Sequence, residues 1–259
     1  MNATVDIGLG GLLAVYLLLF IPLWFNWRLK LGLNKELLWT VLRMSVQLLL
    51  VGYYLEYLFR WNRPGLNLLW LLVMLLVANV TTLKRSKLPV RQLLLGETVA
   101  SLGGFGAILL YFMLMILQVK PWYDAAYLIP VGGMILGNTM RSNVIALERF
   151  YNGLHERQRE FTALLLLGAT PQEAARPFFA EALRATLLPQ LATMGTLGIV
   201  SLPGMMTGQM LGGVSPLLAI KYQLAIMIAI LVAMQLSAYC SLWLSSRSAF
   251  DCRGNLKFH

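Results

Sequence analysis

Seven stretches of apolar residues, at about 7–27, 37–59, 66–83, 93–118, 125–148, 186–208 and 217–244, dominate the chain. Each is long enough to cross the roughly 30 Å hydrocarbon core of a bilayer as a helix. Inside lipid every backbone polar group must find its partner within the segment, which restricts such runs to helices. The expected fold is therefore all-α: a polytopic membrane helix bundle of about seven spans, read as one transmembrane domain over 1–259. Charged residues make up only 12% of the 259 positions, about half the share of an ordinary soluble domain. Mean hydropathy is +0.69.

The side-chain inventory excludes several classes of function. Two cysteines, Cys240 and Cys252, and two histidines, His155 and His259, provide neither a disulfide framework nor zinc-ligand spacing. They leave no catalytic cluster either, so the chain is not expected to be an enzyme. The N-terminal "MNATVDIGLGG" lacks the basic region of a signal peptide, and its apolar run is expected to be a retained span.

The net charge of +10 reads as a topology signal rather than as nucleic-acid binding. Taking alternate loops as cytoplasmic places fifteen Lys and Arg on one side and only Arg60, Arg63 and Lys120 on the other. That asymmetry predicts the N-terminus outside and the C-terminus inside, with contact to anionic membrane lipid.

The longest loop, 148–189, lies between the fifth and sixth spans. Its first part, "LHERQREFTALLLL", has a helical pattern that Gly168 closes with a tight turn. "TPQE" follows at 170–173, with Thr170 as N-cap, Pro171 at the first helical position and Glu173 placed to complete a capping box. The spacing predicts a new short helix from Pro171 before the chain re-enters the membrane near Pro189. Such a helix either lies on the lipid surface or docks a soluble partner, with Arg176 between two apolar stretches and "FFAEAL" as an anchor.

Proline and glycine interrupt the spans at Pro22, Pro130, Pro189 and Pro203. The densest case is "LPGMMTGQMLGG" (202–213), which also carries Met205, Met206, Gln209 and Met210. Thioethers are soft ligands that suit Cu(I) better than Fe(II), so these methionines read either as packing or as weak ligands. Pro203 and Gly204 are the stronger signal, since broken helices at membrane depth line cavities or form gates. A bend near Pro203–Gly204 is expected.

Polar residues inside spans are functional candidates. Glu97 lies beside Ser101 on one helix face. It is either a cation ligand, oxygen being suited to ferrous iron, or the anchor of an ion pair with Arg43 or Arg141. Arg43 and Gln47 share a face of the second span. Glu56, Asp124 and Lys221 are expected near span ends, either as a structural pairing or as an acidic exit for a cation. Asn138, Thr139, Arg141, Ser142 and Asn143 follow Gly132, Gly133 and Gly137 on the fifth span, which suggests a crowded helix interface or a translocation path.

Four stretches carry a family resemblance: "RMSVQLLLVGYYL" (43–55), "IPVGGMILGNTMRSNVIALER" (129–149), "ERQREFTALLLLGATPQEA" (156–174) and "SLPGMMTGQMLGGVSPLLAIKYQ" (201–223). In these the chain resembles the membrane subunits of FetAB-type iron-export ABC transporters, a family that includes plant aluminium-tolerance permeases. The likeness is close enough to suggest the enterobacterial member itself. It implies an inner-membrane permease working as a homodimer with two copies of a cytoplasmic ABC ATPase, and a metal cation, iron, as cargo.

ATP and Mg would then sit in the partner, with no cofactor bound by this chain. In agreement, no G-x-x-x-x-G-K-[ST] phosphate loop occurs in the sequence. The resemblance places ATPase coupling on Gly168, Ala169, Thr170, Pro171, Gln172, Glu173 and Arg176, within a coupling segment of about 149–185. The path or hinge falls on Asn138, Arg141, Pro203, Gly204 and Gln209. Candidate metal ligands are Glu97, Met205, Met206 and Met210. The alternatives are a secondary cation carrier or channel, and a non-transporting membrane sensor or assembly partner.

Overall fold

The computed structural model describes residues 7–249, and its described elements are all helical. Arg253, Lys257, Cys252 and His259 lie outside the described residues. The chain divides into two compact units: residues up to Trp61 together with Leu211–Gly213, and the remainder.

The first unit holds α1 (Leu9–Leu17), α2 (Phe20–Arg28) and α3 (Asn34–Trp61). α1 and α2 form one apolar stretch with an irregular turn at Leu18–Leu19. Pro22 accounts for that turn. It has no N–H for the carbonyl of Leu18, and its ring crowds that carbonyl. Tyr16 and Ser45 share a short hydroxyl–hydroxyl hydrogen bond that ties α1 to α3.

The second unit contains α4 (Pro64–Arg85), α5 (Val90–Ser101), α6 (Ala107–Tyr111), α7 (Ala125–Glu156), α8 (Gln158–Leu166), α9 (Pro171–Thr196), α10 (Gly204–Leu211) and α11 (Pro216–Ala249), the end of α10 excepted. Wider turns at Leu102–Gly106 and Phe112–Leu117 join α5 and α6 into one rod that ends at Gln118. Asp124 starts α7 by accepting a hydrogen bond from the amide of Ala126 at 3.1 Å.

Among the described residues, five helical stretches are long and apolar enough to cross a membrane: Leu9–Arg28, Asn34–Trp61, Pro64–Arg85, Val90–Leu117 and Pro216–Arg247. The two further spans expected at 125–148 and 186–208 do not qualify on those grounds. The first lies within α7, which is rich in polar and charged side chains. The second is divided between α9 and α10.

α9 also departs from expectation at its start. The short helix before Pro189 and the span after it are one continuous helix of 26 residues, with Pro177 and Pro189 inside it. A proline removes one amide donor, but here the rest of the ladder continues. The break falls later, at 197–203, where Gly198 adopts φ +85° and its amide donates to the carbonyl of Ser201 at 3.0 Å.

Two apolar clusters fill the second unit. One gathers Leu83, Leu93, Ala146, Phe150, Phe178 and Leu242 with their neighbours. The other gathers Ala78, Phe105, Leu136, Met234 and their neighbours.

Candidate functional site

Between those clusters lies a layer of buried polar side chains, with a contribution from every helix that joins them. On α4, Asn79 and Thr82 lie between Ala78 and Leu83. On α5, Glu97 and Ser101 fall between Leu93 and Phe105. Thr139, Ser142 and Asn143 separate Leu136 from Ala146 on α7, while Ser237 and Ser241 follow Met234 on α11. Glu97 is 4% exposed and Asn143 is 1% exposed, so their polar groups must be satisfied within the protein.

Asn143 Nδ2 donates to Glu97 Oε1 at 2.8 Å and to Ser237 Oγ at 3.0 Å. Ser241 donates to the other oxygen of Glu97 through a short hydrogen bond. Ser101 Oγ donates to Asn79 Oδ1 at 2.9 Å, and Asn79 Nδ2 reaches Thr98 Oγ1 at 3.3 Å. Glu97 is in no ion pair among the described residues, and its partners are uncharged rather than arginines. Asn143 Oδ1, Thr82 Oγ1 and Ser142 Oγ have no hydrogen-bond partner among the described residues. The layer thus carries a carboxylate together with spare oxygen atoms. All are hard donors.

Close packing holds the layer in place. A Cβ added to Gly104 would lie 2.6 Å from the backbone nitrogen of Ser237. Only glycine lets the wide turn at Leu102–Gly106 approach α11 this closely. Such wide turns concentrate at functional sites.

The second feature is the turn before α9. Gly168 takes φ +93°, a region that favours glycine. Thr170 and Glu173 form both bonds of the capping box: Glu173 N–H donates to Thr170 Oγ1 at 3.3 Å, and Thr170 N–H donates to Glu173 Oε2 at 2.8 Å. The Thr170 amide and hydroxyl hold the Glu173 carboxyl below its ordinary range. Ala169 packs against the apolar cluster, whereas Gly168, Thr170, Gln172, Glu173 and Arg176 are exposed.

The chain matches the Uncharacterised protein family (UPF0014) over residues 9–250. It belongs to that family. Among its relatives, UPF0014 membrane protein slr1647 of Synechocystis sp. is 43% identical over 208 residues, covering 80% of each chain. UPF0014 membrane protein YjkA of Bacillus subtilis is 33% identical, covering 92% of this chain and 93% of the relative. The Probable iron export permease protein FetB of Escherichia coli is 35% identical, covering 88% of this chain and 86% of the relative. That identity marks a relative of the enterobacterial protein, not the same protein. No solved structure matches this chain. Membership and the apolar helices together make this a multi-pass membrane protein of the family.

Within this family member, the residues singled out from sequence do not form one site. Glu97 and Asn143 share the polar layer. Asn138 donates to the carbonyl of Met134 on its own helix at 2.7 Å, and Arg141 is exposed. Met205 packs against the second apolar cluster. Met206 instead lines a groove of ≈ 330 Å³ at the helix break, beside Pro203, Met194, Met227 and Gln223. Met210 and Gln209 are half-buried, and Gln209 Oε1 has no partner among the described residues. No three His, Cys, Asp or Glu side chains come together there. Glu56 pairs with Arg60 at 3.0 Å, and Asp124, the N-cap of α7, also accepts a hydrogen bond from Asn62 Nδ2 at 3.4 Å.

Asn79, Ser237 and Ser241 were missed from sequence. The signal was present for α11: Ser237, Ser241 and Ser245 recur every four residues, which puts them on one face.

Proposed function

We propose that this chain is the membrane-spanning permease subunit of an ATP-driven exporter of metal cations, with iron as the cargo. It would work as a homodimer with two copies of a separate ATP-binding subunit. The observation that carries the reading is the exposed, capped turn at Gly168–Glu173, which leads into a single helix running to the break at 197–203. A partner that closes on ATP would push this turn, and α9 would carry the displacement to the membrane helices it packs against. The relative named Probable iron export permease protein FetB supports the direction and the cargo.

The polar layer is the proposed passage point for cargo. Ferrous iron accepts carboxylate and neutral oxygen donors, and Glu97, with the spare oxygens of Asn143, Thr82 and Ser142, offers that set. We assign the methionines at 205, 206 and 210 to packing around the break.

The test is reconstitution in liposomes with and without a candidate ATP-binding subunit, scanning divalent metals for stimulated ATP hydrolysis and flux. Iron-stimulated hydrolysis, lost in Glu97→Gln, is expected. Replacement of Ala169–Glu173 by a flexible linker should abolish co-purification of the ATP-binding subunit while thermal unfolding is little changed. Cation flux by this chain alone would sink the ATP-driven reading, and unaltered iron stimulation in Glu97→Gln would remove Glu97 from the path.

A further inference from the structure

Where α9 and α11 run side by side near the end of α11, they leave an open groove of ≈ 830 Å³. Gln172, Arg176 and Phe179 line it from α9, and Tyr239, Trp243 and Arg247 from α11. The Arg247 guanidinium lies 3.9 Å from the centre of the Trp243 ring, which fixes its position by cation–π contact. Phe179 and Tyr239 meet edge to face at 5.4 Å and give the groove an aromatic wall.

Charge decides what such a groove accepts. Neither Arg176 nor Arg247 is in an ion pair among the described residues. Arg157, by contrast, is matched by both Glu160 and Glu181. Two guanidinium groups with no ion pair among the described residues, lining one groove, repel each other and attract an anion. Their planar forks suit phosphate oxygens in particular.

Depth decides the source of that phosphate. Pro216–Arg247 is an apolar stretch of 32 residues with Arg247 at its end. At about 1.5 Å per residue it is longer than the roughly 30 Å hydrocarbon core. The turns carrying Trp243 and Arg247 therefore reach headgroup level, where tryptophan and tyrosine concentrate. Trp243 is 41% exposed and Tyr239 is 49% exposed, which leaves aromatic surface free for glycerol and the first acyl carbons.

We propose that this groove is a binding site for an anionic phospholipid, with the headgroup phosphate held between Arg176 and Arg247. The site shares Gln172 and Arg176 with the segment expected to couple to an ATP-binding subunit, but it requires only this chain and a membrane. An acidic segment of a protein partner is the competing occupant. The aromatic wall at headgroup depth favours the lipid.

The test uses the purified full chain in neutral detergent, with lipid retention read by native mass spectrometry and by thermal shift. Phosphatidylglycerol is expected to bind and to raise the unfolding temperature, whereas phosphatidylcholine with the same acyl chains binds at the level of the double variant. The variant Arg176→Gln/Arg247→Gln should bind phosphatidylglycerol roughly 30-fold more weakly, each arginine near the surface contributing about fivefold. The two single variants, each about fivefold weaker, serve as the readout if the pair unfolds without lipid. Equal phosphatidylglycerol affinity in wild type and double variant overturns the proposal. So does equal weakening by Arg149→Gln/Arg159→Gln, which changes exposed charge away from the groove. Inorganic phosphate that binds as tightly as the lipid would make this a plain anion site. Loss of a candidate ATP-binding subunit at unchanged lipid affinity would assign the groove to a protein partner.

Discussion

The polar layer around Glu97 and the capped turn around Thr170 are both built from short-range hydrogen bonds, yet they depend on the chain in opposite ways. At the turn, the interacting residues are three positions apart, and water surrounds them. In the layer, Glu97 bonds residues 46 and 144 positions away, and every helix must be in register for the bonds to form. Losing a bond at the turn lets water replace it. Losing one in the layer leaves a buried polar atom with nothing in its place. The comparison teaches that the layer is a property of the assembled bundle, and the turn a property of a few consecutive residues.

The largest break in that comparison should come from Asn143→Ala. It removes donors to Glu97 and Ser237 at once and leaves a cavity, at a cost of about 3 kcal/mol. Thermal unfolding in detergent reads it, and a change below a tenth of that size would mean that the layer is not held as described. Gly104→Ala is next, at about 2 kcal/mol, because the new methyl collides with the backbone of Ser237, which has no room to yield. A wild-type unfolding temperature would show that the wide turn accommodates a methyl.

The smallest effect belongs to the turn: Thr170→Ala should cost about 1 kcal/mol of local helix stability. It is read by amide hydrogen exchange over 173–175, with the rest of the chain unchanged. The same segment sharpens the contrast through pH. The Glu173 carboxyl is held below its ordinary value, so its support for the helix is present above the unfolded pKa and is lost as pH falls through the folded one. Exchange over 173–175, corrected for intrinsic rates, should rise only in acid below the usual glutamate range, and should show no such step in Glu173→Gln.

This difference also explains what could be read from the sequence. Thr170, Pro171 and Glu173 announce a helix start by spacing alone, and the structure places that start there. The break in the apolar run near Pro203 is equally local, although it begins several residues earlier because Gly198 supplies the left-handed backbone. Glu97 with Ser101 was visible as one face of one helix. Its partners Asn143 and Ser241 were not, since spacing within a helix does not say which helices will pack. The continuity of α9 through Pro189 was hidden for a similar reason. A proline costs one hydrogen bond, and whether the helix survives depends on what its other face touches. On α9 those contacts include Ala182 and Thr186, both buried just ahead of Pro189.

Gly168 and Gly198, each with a left-handed backbone, lie just outside opposite ends of the 26-residue helix α9. Such a rod is about 39 Å long, and each glycine holds a turn that a Cβ would strain. Between them Ala174, Ala175, Phe178 and Ala182 bed the rod into the apolar cluster, so it is braced along its side as well as at its ends. Under the proposed function, a displacement at the turn would therefore reach the core helices beside α9 before it reached the break.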